Sequence, residues 1–374
     1  MSSNRTDLAL FLATSGHSGV DRIMRNLVPE FARHGLRIDL LKVEGHGPYW
    51  DELPHNVRAI ELGVSHVNTA LPALIRYLRR NRPEVLLSDK DKVNRTALAA
   101  RALARVDTRV AVRMGTTVSK NLERRGWWAR NSQLASIRLF YRHADGILTP
   151  SKGAAEDLAW IAGLPMTAVT VVPSPVLTER FAAMAGEAVD HPWFAPGEPP
   201  VILGVGELCA RKDFATLLKA FAELRRGGRS CRLVIGGEGR QRDKLLQLAR
   251  DLGVSEDVDL PGFLVNPYAY MDRAKVFALA SICEGMPVVL IEAMALGTPV
   301  VSTDCPSGPR EMLGDGRYGP LVPVGDSSAL AGKIAEMLDN PTSPQALREA
   351  AMPYTVTNSA RHYLNALGLP KGEG

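Results

Sequence analysis

Two glutamates, a lysine and an arginine carry the chemistry that can be read from this chain. Glu284 and Glu292 are separated by seven residues in the run from Ser281 to Ser302. Glu284 falls in the turn Glu284-Gly285-Met286-Pro287 and Glu292 on the short helix behind it, so the two carboxylates can serve two different parts of one ligand. Gly285 and its neighbours open a helix N-terminus, where unpaired N–H groups and the positive dipole end attract hydroxyl oxygens and phosphate. Arg211 and Lys212 end the loop that starts at Gly204 and precede a helical pattern. A guanidinium fork and a compact ammonium are both suited to phosphate oxygens. Such a set suits a nucleotide-linked sugar, one carboxylate meeting a sugar ring and the other a ribose. The competing reading is a buried α/β turn with two solvated glutamates. No Ser-His-Asp constellation offers a different chemistry.

The elements that must position these groups alternate regularly. Leu8–Ala13 is a short apolar run of the kind found in buried parallel strands. It ends in Ser15-Gly16-His17-Ser18-Gly19-Val20 before a helical pattern from Asp21 to His34. Similar runs at 38–43, 85–87, 110–113, 147–149 and 169–172 are separated by helical segments, which predicts right-handed βαβ units around a parallel sheet. Proline-rich residues 177–199 have little periodicity and read as a linker. The pattern restarts at Val201 and runs on through the strand Val276–Leu279 that leads into the Glu284 turn. We therefore expect two Rossmann-like domains, at 1–176 and 200–353, with a final helix near 354–367 crossing back to the first.

With 374 residues the chain has room for two hydrophobic cores. No apolar run approaches the roughly 20 residues of a membrane span, and no signal-peptide pattern opens the sequence, so a cytoplasmic protein is expected. Cys209, Cys231, Cys283 and Cys305 show no metal-ligand spacing and read as reduced core residues. The charge is uneven. Residues 1–175 hold 25 basic and 16 acidic side chains, against 20 and 24 in the rest. A basic first half implies an anionic partner. Trp127 and Trp128 sit among basic residues between Lys120 and Arg142. That mixture fits an anionic membrane surface, buried tryptophans under a basic loop, or nucleic acid. No nucleic-acid module is recognisable, and none is expected to bind.

The run Glu284-Gly285-Met286-Pro287 through Glu292-Ala293-Met294, with Gly297-Thr298-Pro299 and Gly308-Pro309-Arg310-Glu311 behind it, closely resembles the E-x7-E signature of retaining glycosyltransferases of the GT-B architecture, family four. The resemblance is strong over 201–326 and looser over 8–176. It implies two Rossmann-like domains facing each other across a cleft, acceptor on the first and donor on the second. The reaction it implies is transfer of a sugar, with retention, from a nucleoside-diphosphate sugar (most simply a UDP-sugar) to a hydroxyl of a glycan or lipid-linked glycan, with no metal or other cofactor. Members build bacterial surface polysaccharides, which suggests a cytoplasmic enzyme attached peripherally to the inner face of the plasma membrane.

By the same resemblance Glu284, Lys212 and Arg211 are catalytic. Gly16, Gly19, Gly285, Met286, Pro287, Glu292 and the segment Phe263-Leu264-Val265 bind the donor, the last at its base. Two departures stand out. Glu207 occupies a place where the family has arginine, a charge that Arg211 can replace. After the strand at 109–113 the family has a histidine, where this chain has Met114-Gly115-Thr116. That leaves His17, Arg113 and Thr116 as acceptor-side candidates. Asp89-Lys90-Asp91 reads as a solvated loop or acceptor contact. The rival functions are an epimerase-like nucleotide-sugar enzyme and a binding protein with a degraded donor site.

Overall fold

The computed structural model describes residues 5–16, 18–122, 126–284, 286–306 and 308–369, with the side chains of Lys120 and Asn121 outside that description. The chain forms two compact units. One holds residues up to Pro175 together with those from Val356 onward, and the other spans Val176–Thr355.

The first unit is built on seven parallel strands: β1 (Leu8–Phe11), β2 (Ile38–Lys42), β3 (Val57–Glu61), β4 (Val85–Asp89), β5 (Arg109–Arg113), β6 (Gly146–Thr149) and β7 (Val169–Val171), in the order β3-β2-β1-β4-β5-β6-β7. Apolar strands buried on both faces need helices on both sides. Helices Leu71–Asn81, Asp91–Ala104, Trp127–Tyr141 and Lys152–Ala162 supply one layer. Helices Gly19–Arg33 and Val356–Leu367 supply the other, where Tyr363 and Leu364 join Met24, Leu27 and Phe31. The last helix enters this core because its apolar residues recur at helical spacing: Ala360, Tyr363, Leu364 and Leu367 are all buried.

The second unit has six parallel strands: β8 (Val201–Val205), β9 (Arg232–Gly236), β10 (Val258–Gly262), β11 (Val276–Leu279), β12 (Val300–Thr303) and β13 (Leu321–Val322), in the order β10-β9-β8-β11-β12-β13. Helices Phe214–Arg226, Arg242–Asp251 and Ser327–Asp339 cover one face, and Pro267–Arg273, Val288–Leu296 and Pro344–Ala351 the other.

The segment 177–199 differs from the linker expected of it. It contains the helix Glu179–Ala185, whose Phe181 is buried in the second core and meets Tyr268 edge-on at 4.8 Å. One buried aromatic per short helix outweighs a proline-rich composition, and the segment belongs to the second unit.

In each sheet the strand order reverses once, between β1 and β4 and between β8 and β11. Crossover helices leave toward opposite faces at such a point, so the loops at the carboxyl ends of those strands flank a crevice. The chemistry-bearing residues follow these strands.

Candidate active site

In the second unit, Lys212 follows β8 and Glu284 follows β11, the two strands at the reversal. The side chain of Glu284 is 6% exposed and accepts three hydrogen bonds. Lys212 Nζ and Ser281 Oγ reach Oε1 at 2.7 Å each, and Arg211 Nη1 reaches Oε2 at 3.1 Å. A carboxylate held this far from water needs such partners. Arg211 is held from its own backbone as well, because its carbonyl accepts the Ile282 N–H at 2.8 Å. Its side chain is 42% exposed while that of Lys212 is 10% exposed. The cluster therefore has a sealed side at Lys212 and an open side at Arg211. Two cations around one carboxylate leave a net positive charge where a diphosphate can bind.

Glycine makes this approach possible. A side chain on Gly206 would press on the Lys212 stem at 3.1 Å, and one on Gly237, whose φ is 143°, would lie 1.9 Å from the Gly206 carbonyl oxygen. Glu207 is exposed, and it makes no contact with Arg211 or Lys212 among the hydrogen bonds and ion pairs of the described residues.

Glu292 lies on the helix Val288–Leu296 and is 3% exposed, with Tyr268 donating its hydroxyl to Oε1 at 3.2 Å. Met286 is half-buried and Pro287, which begins that helix, is buried, while Gly285 lies outside the described residues. Phe263 and Val265 are 70% and 86% exposed on the loop after β10, whereas Leu264 is buried against Gly236, so its side chain belongs to the core. Cys305 is buried near this cluster. Burial, reinforced by the charge of Glu284, pushes its thiol up to about 12, so it is an inert core thiol.

In the first unit the glycine loop follows β1. Its helix Gly19–Arg33 is closed by a capping box in which Asp21 and Ser18 exchange hydrogen bonds. Asp21 takes the Ser18 N–H at 2.6 Å and the Thr14 hydroxyl as well. Burial raises the Asp21 carboxyl, but the hydrogen bonds from Ser18 and Thr14 outweigh it and hold the pKa below its usual value. An anion is thus already built into this loop. Gly16 has a φ of 86°, and a side chain on Gly19 would face open space. His17 lies outside the described residues, and Thr116 is exposed.

Two sequence expectations are corrected here. Asp89 is no solvated loop residue: it ends β4, is 1% exposed and forms an ion pair with Arg113, which is equally buried. Arg113 Nε also donates to the Tyr363 hydroxyl at 2.7 Å. Burial alone would lower the Arg113 pKa, but Tyr363 and Asp89 reverse this and raise it. Arg113 therefore ties β4, β5 and the last helix together and has no face left for an acceptor. The tryptophan pair is not buried either: Trp127 and Trp128 are 65% and 80% exposed, edge to face at 4.5 Å.

Sequence reasoning missed Ser281, Tyr268 and Asp21. Ser281 gave a readable signal, a hydroxyl three residues before a glutamate at a strand end. Asp21 gave another, the capping-box spacing from Ser18. Tyr268 gave none, since only tertiary packing brings it to Glu292.

Comparison with known proteins accords with this geometry. Solved structures of GT-B type cover the chain from end to end. The lipopolysaccharide outer core galactosyltransferase WaaB, in its apo form, aligns over 97% of this chain and 99% of its own with a TM-score of 0.75 at 19% identity. Anabaena HepE, solved with UDP, aligns over 97% and 100% with a TM-score of 0.75 at 16% identity. The architecture is GT-B. At the level of sequence, the family described as glycosyl transferases group 1 matches residues 187–352, and the glycosyl transferase 4-like domain matches 18–175. A Campylobacter jejuni N-acetylgalactosamine-N,N'-diacetylbacillosaminyl-diphospho-undecaprenol 4-alpha-N-acetylgalactosaminyltransferase is 30% identical over 354 residues, 92% of this chain and 93% of that protein. The chain belongs to the group 1 glycosyltransferases and is a transferase enzyme.

Proposed function

We propose that this enzyme moves a sugar from a nucleoside-diphosphate sugar, most simply a UDP-sugar, to a hydroxyl of a glycan or lipid-linked glycan, with retention at the anomeric carbon and without a metal, in the assembly of a surface polysaccharide. The observation that carries this reading is the cluster of Glu284, Lys212, Arg211 and Ser281 at the strand-order reversal. The bond between the anomeric carbon and the β-phosphate oxygen breaks with its electron pair on the phosphate, the acceptor oxygen bonds to the anomeric carbon, and the acceptor hydroxyl's proton passes to the departing β-phosphate oxygen. Lys212 and Arg211 take the charge that appears on the leaving diphosphate, as fixed cations in a site partly closed to water. Glu284, relieved of part of its pairing when the diphosphate binds, turns to the sugar hydroxyls. Glu292 serves the ribose and the exposed Phe263 the base. Gly16 and Gly19 belong to the donor side. The relative from C. jejuni is named for a diphospho-undecaprenol-linked acceptor, and that name supports a lipid-linked acceptor here.

Such a substrate requires the enzyme to work at a membrane. No helix among the described residues is long and apolar enough to cross one. Trp127 and Trp128, exposed at the start of a helix that carries Arg130 and Arg138, supply an interfacial and a cationic contact for an anionic surface on the cytoplasmic side. Trp127→Ala combined with Trp128→Ala should abolish sedimentation with phosphatidylglycerol vesicles. Unchanged sedimentation removes this docking surface.

The reaction is tested by binding of UDP-, GDP-, TDP- and ADP-sugars to wild type and to Glu207→Arg. Because Glu207 points to solvent, the wild type should bind one donor tightly, and arginine should change its affinity little. Binding only by Glu207→Arg would make the natural protein a binding module with a disabled donor site.

A further inference from the structure

The loop after β2 carries a feature that the donor site does not use. Gly47 pairs with Thr14 through two backbone hydrogen bonds of 3.3 and 3.0 Å, which lays residues 44–50 against the glycine loop after β1. The fit is tight, since a side chain on Gly47 would lie 2.4 Å from Gly16 Cα and one on Gly16 would lie 2.4 Å from Tyr49 Cε2. The Tyr49 ring is thereby fixed against Gly16, yet the residue remains 49% exposed, the only large apolar side chain of the described residues in these two loops so exposed. A rigid aromatic ring held open to solvent at the carboxyl end of a parallel sheet is the usual footing for an uncharged, partly apolar ligand.

Polar groups flank it. His46 Nδ1 lies 3.2 Å from the Thr14 carbonyl oxygen. A carbonyl only accepts, so Nδ1 donates to it, and Nε2 is left for another partner. Lys90 follows β4 with a φ of 75°, near enough to Asp21 to help hold that carboxyl ionised, and its ammonium has no hydrogen-bonded or ion-paired partner among the described residues. Tyr49 packs on Gly16, His46 on Thr14, and Lys90 lies by Asp21, so an aromatic face, a ring nitrogen and an ammonium all border the segment that follows β1 at the strand-order reversal of the first unit. A pyranose ring has the matching surface, with C–H groups on one face and hydroxyls around its edge.

We propose that Tyr49, flanked by His46 and Lys90, is an acceptor subsite in which the tyrosine ring stacks on the sugar that receives the transferred residue. This rests on the transferase reading above, and the two can fail separately. The donor site is first filled with the nucleoside diphosphate that wild type binds. Methyl glycosides of galactose, glucose, N-acetylglucosamine and N-acetylgalactosamine are then titrated and followed by saturation-transfer NMR. One glycoside should bind. Tyr49→Phe, which keeps the ring, should bind it equally, and Tyr49→Leu, which keeps the packing on Gly16 but loses the ring face, should bind it about tenfold more weakly. Nucleotide affinity should be the same in all three. Should leucine disturb the loop, Lys90→Gln provides a second reading, with a severalfold loss for the glycoside alone. Equal glycoside binding by Tyr49→Leu and wild type overturns the subsite, as does a wild type that holds nucleotide but no glycoside. A wild type that holds no nucleotide overturns the transferase reading itself, and the subsite with it.

Discussion

Each unit of this protein places a carboxylate and an arginine at the carboxyl ends of its central strands, and the two pairs have opposite fates. Asp89 and Arg113 in the first unit are each 1% exposed, and Tyr363 from the last helix closes over them. Glu284 in the second unit is nearly as buried, but one of its partners, Arg211, is 42% exposed, and Lys212 and Ser281 share the remaining oxygen. The same kinds of ion make a rivet in one place and, under the proposed function, a binding site in the other. What separates them is whether a ligand could replace one partner without stranding the other. Arg113 has no free face, so anything that took Asp89 from it would bury an uncompensated charge. Under the proposed function, Arg211 and Lys212 exchange a carboxylate for a diphosphate and stay paired throughout.

The sharpest way to break this comparison is to remove one member of the sealed pair. Arg113→Ala leaves the Asp89 carboxylate buried and the Tyr363 hydroxyl without its partner, at a cost of about 3–5 kcal/mol to folding. Thermal unfolding should show a drop of many degrees. The double variant Asp89→Leu with Arg113→Met removes both charges together and should recover most of the loss, since a buried pair exchanged for apolar groups is often neutral. A double variant as unstable as the single one would mean that the pair does more than hold strands together, and an acceptor role for Arg113 would have to be reopened.

How far each cluster was legible in the sequence follows from the same contrast. The open cluster could be read because Lys212 and Glu284 sit at strand ends with a distinctive order: Lys212 after a glycine-rich strand end, then Glu284 at a glycine-proline turn with Glu292 on the helix behind it. The alternation of strands and helices was equally plain, because parallel strands buried on both faces leave uninterrupted apolar runs. The sealed pair was misread. Asp89 precedes Lys90, Asp91 and Lys92, and four charges in a row look solvated, yet the strand continues through Asp89 and only the partner strand reveals Arg113 beside it. Tyr363, some 250 residues away, could not be connected to either by spacing. Residues 177–199 failed for a related reason: their prolines were visible, while the fit of Phe181 against Tyr268 was not. The tryptophan pair leaves three readings open, and exposure, a property of the folded surface, removes the buried one.

The smaller effect, and the one that tests the open cluster, comes from Lys212→Ala. Glu284 would keep Ser281 and Arg211, so the loss of stability should be well below that of Arg113→Ala, although the lysine side chain is itself only 10% exposed. Its loss should appear in turnover. A fixed cation that meets charge developing on the leaving group contributes about 10²–10³ in rate, so kcat for sugar transfer should fall by that factor with a smaller change in KM. Arg211→Ala, on the exposed side, should cost less, because water and salt can partly replace a solvated guanidinium. Arg113→Ala should therefore have the lowest unfolding temperature of the three variants, and Lys212→Ala the lowest turnover. If Lys212→Ala unfolds as readily as Arg113→Ala while the surviving protein turns over normally, then the Glu284 cluster is also a rivet, and the site of transfer lies elsewhere in the second unit.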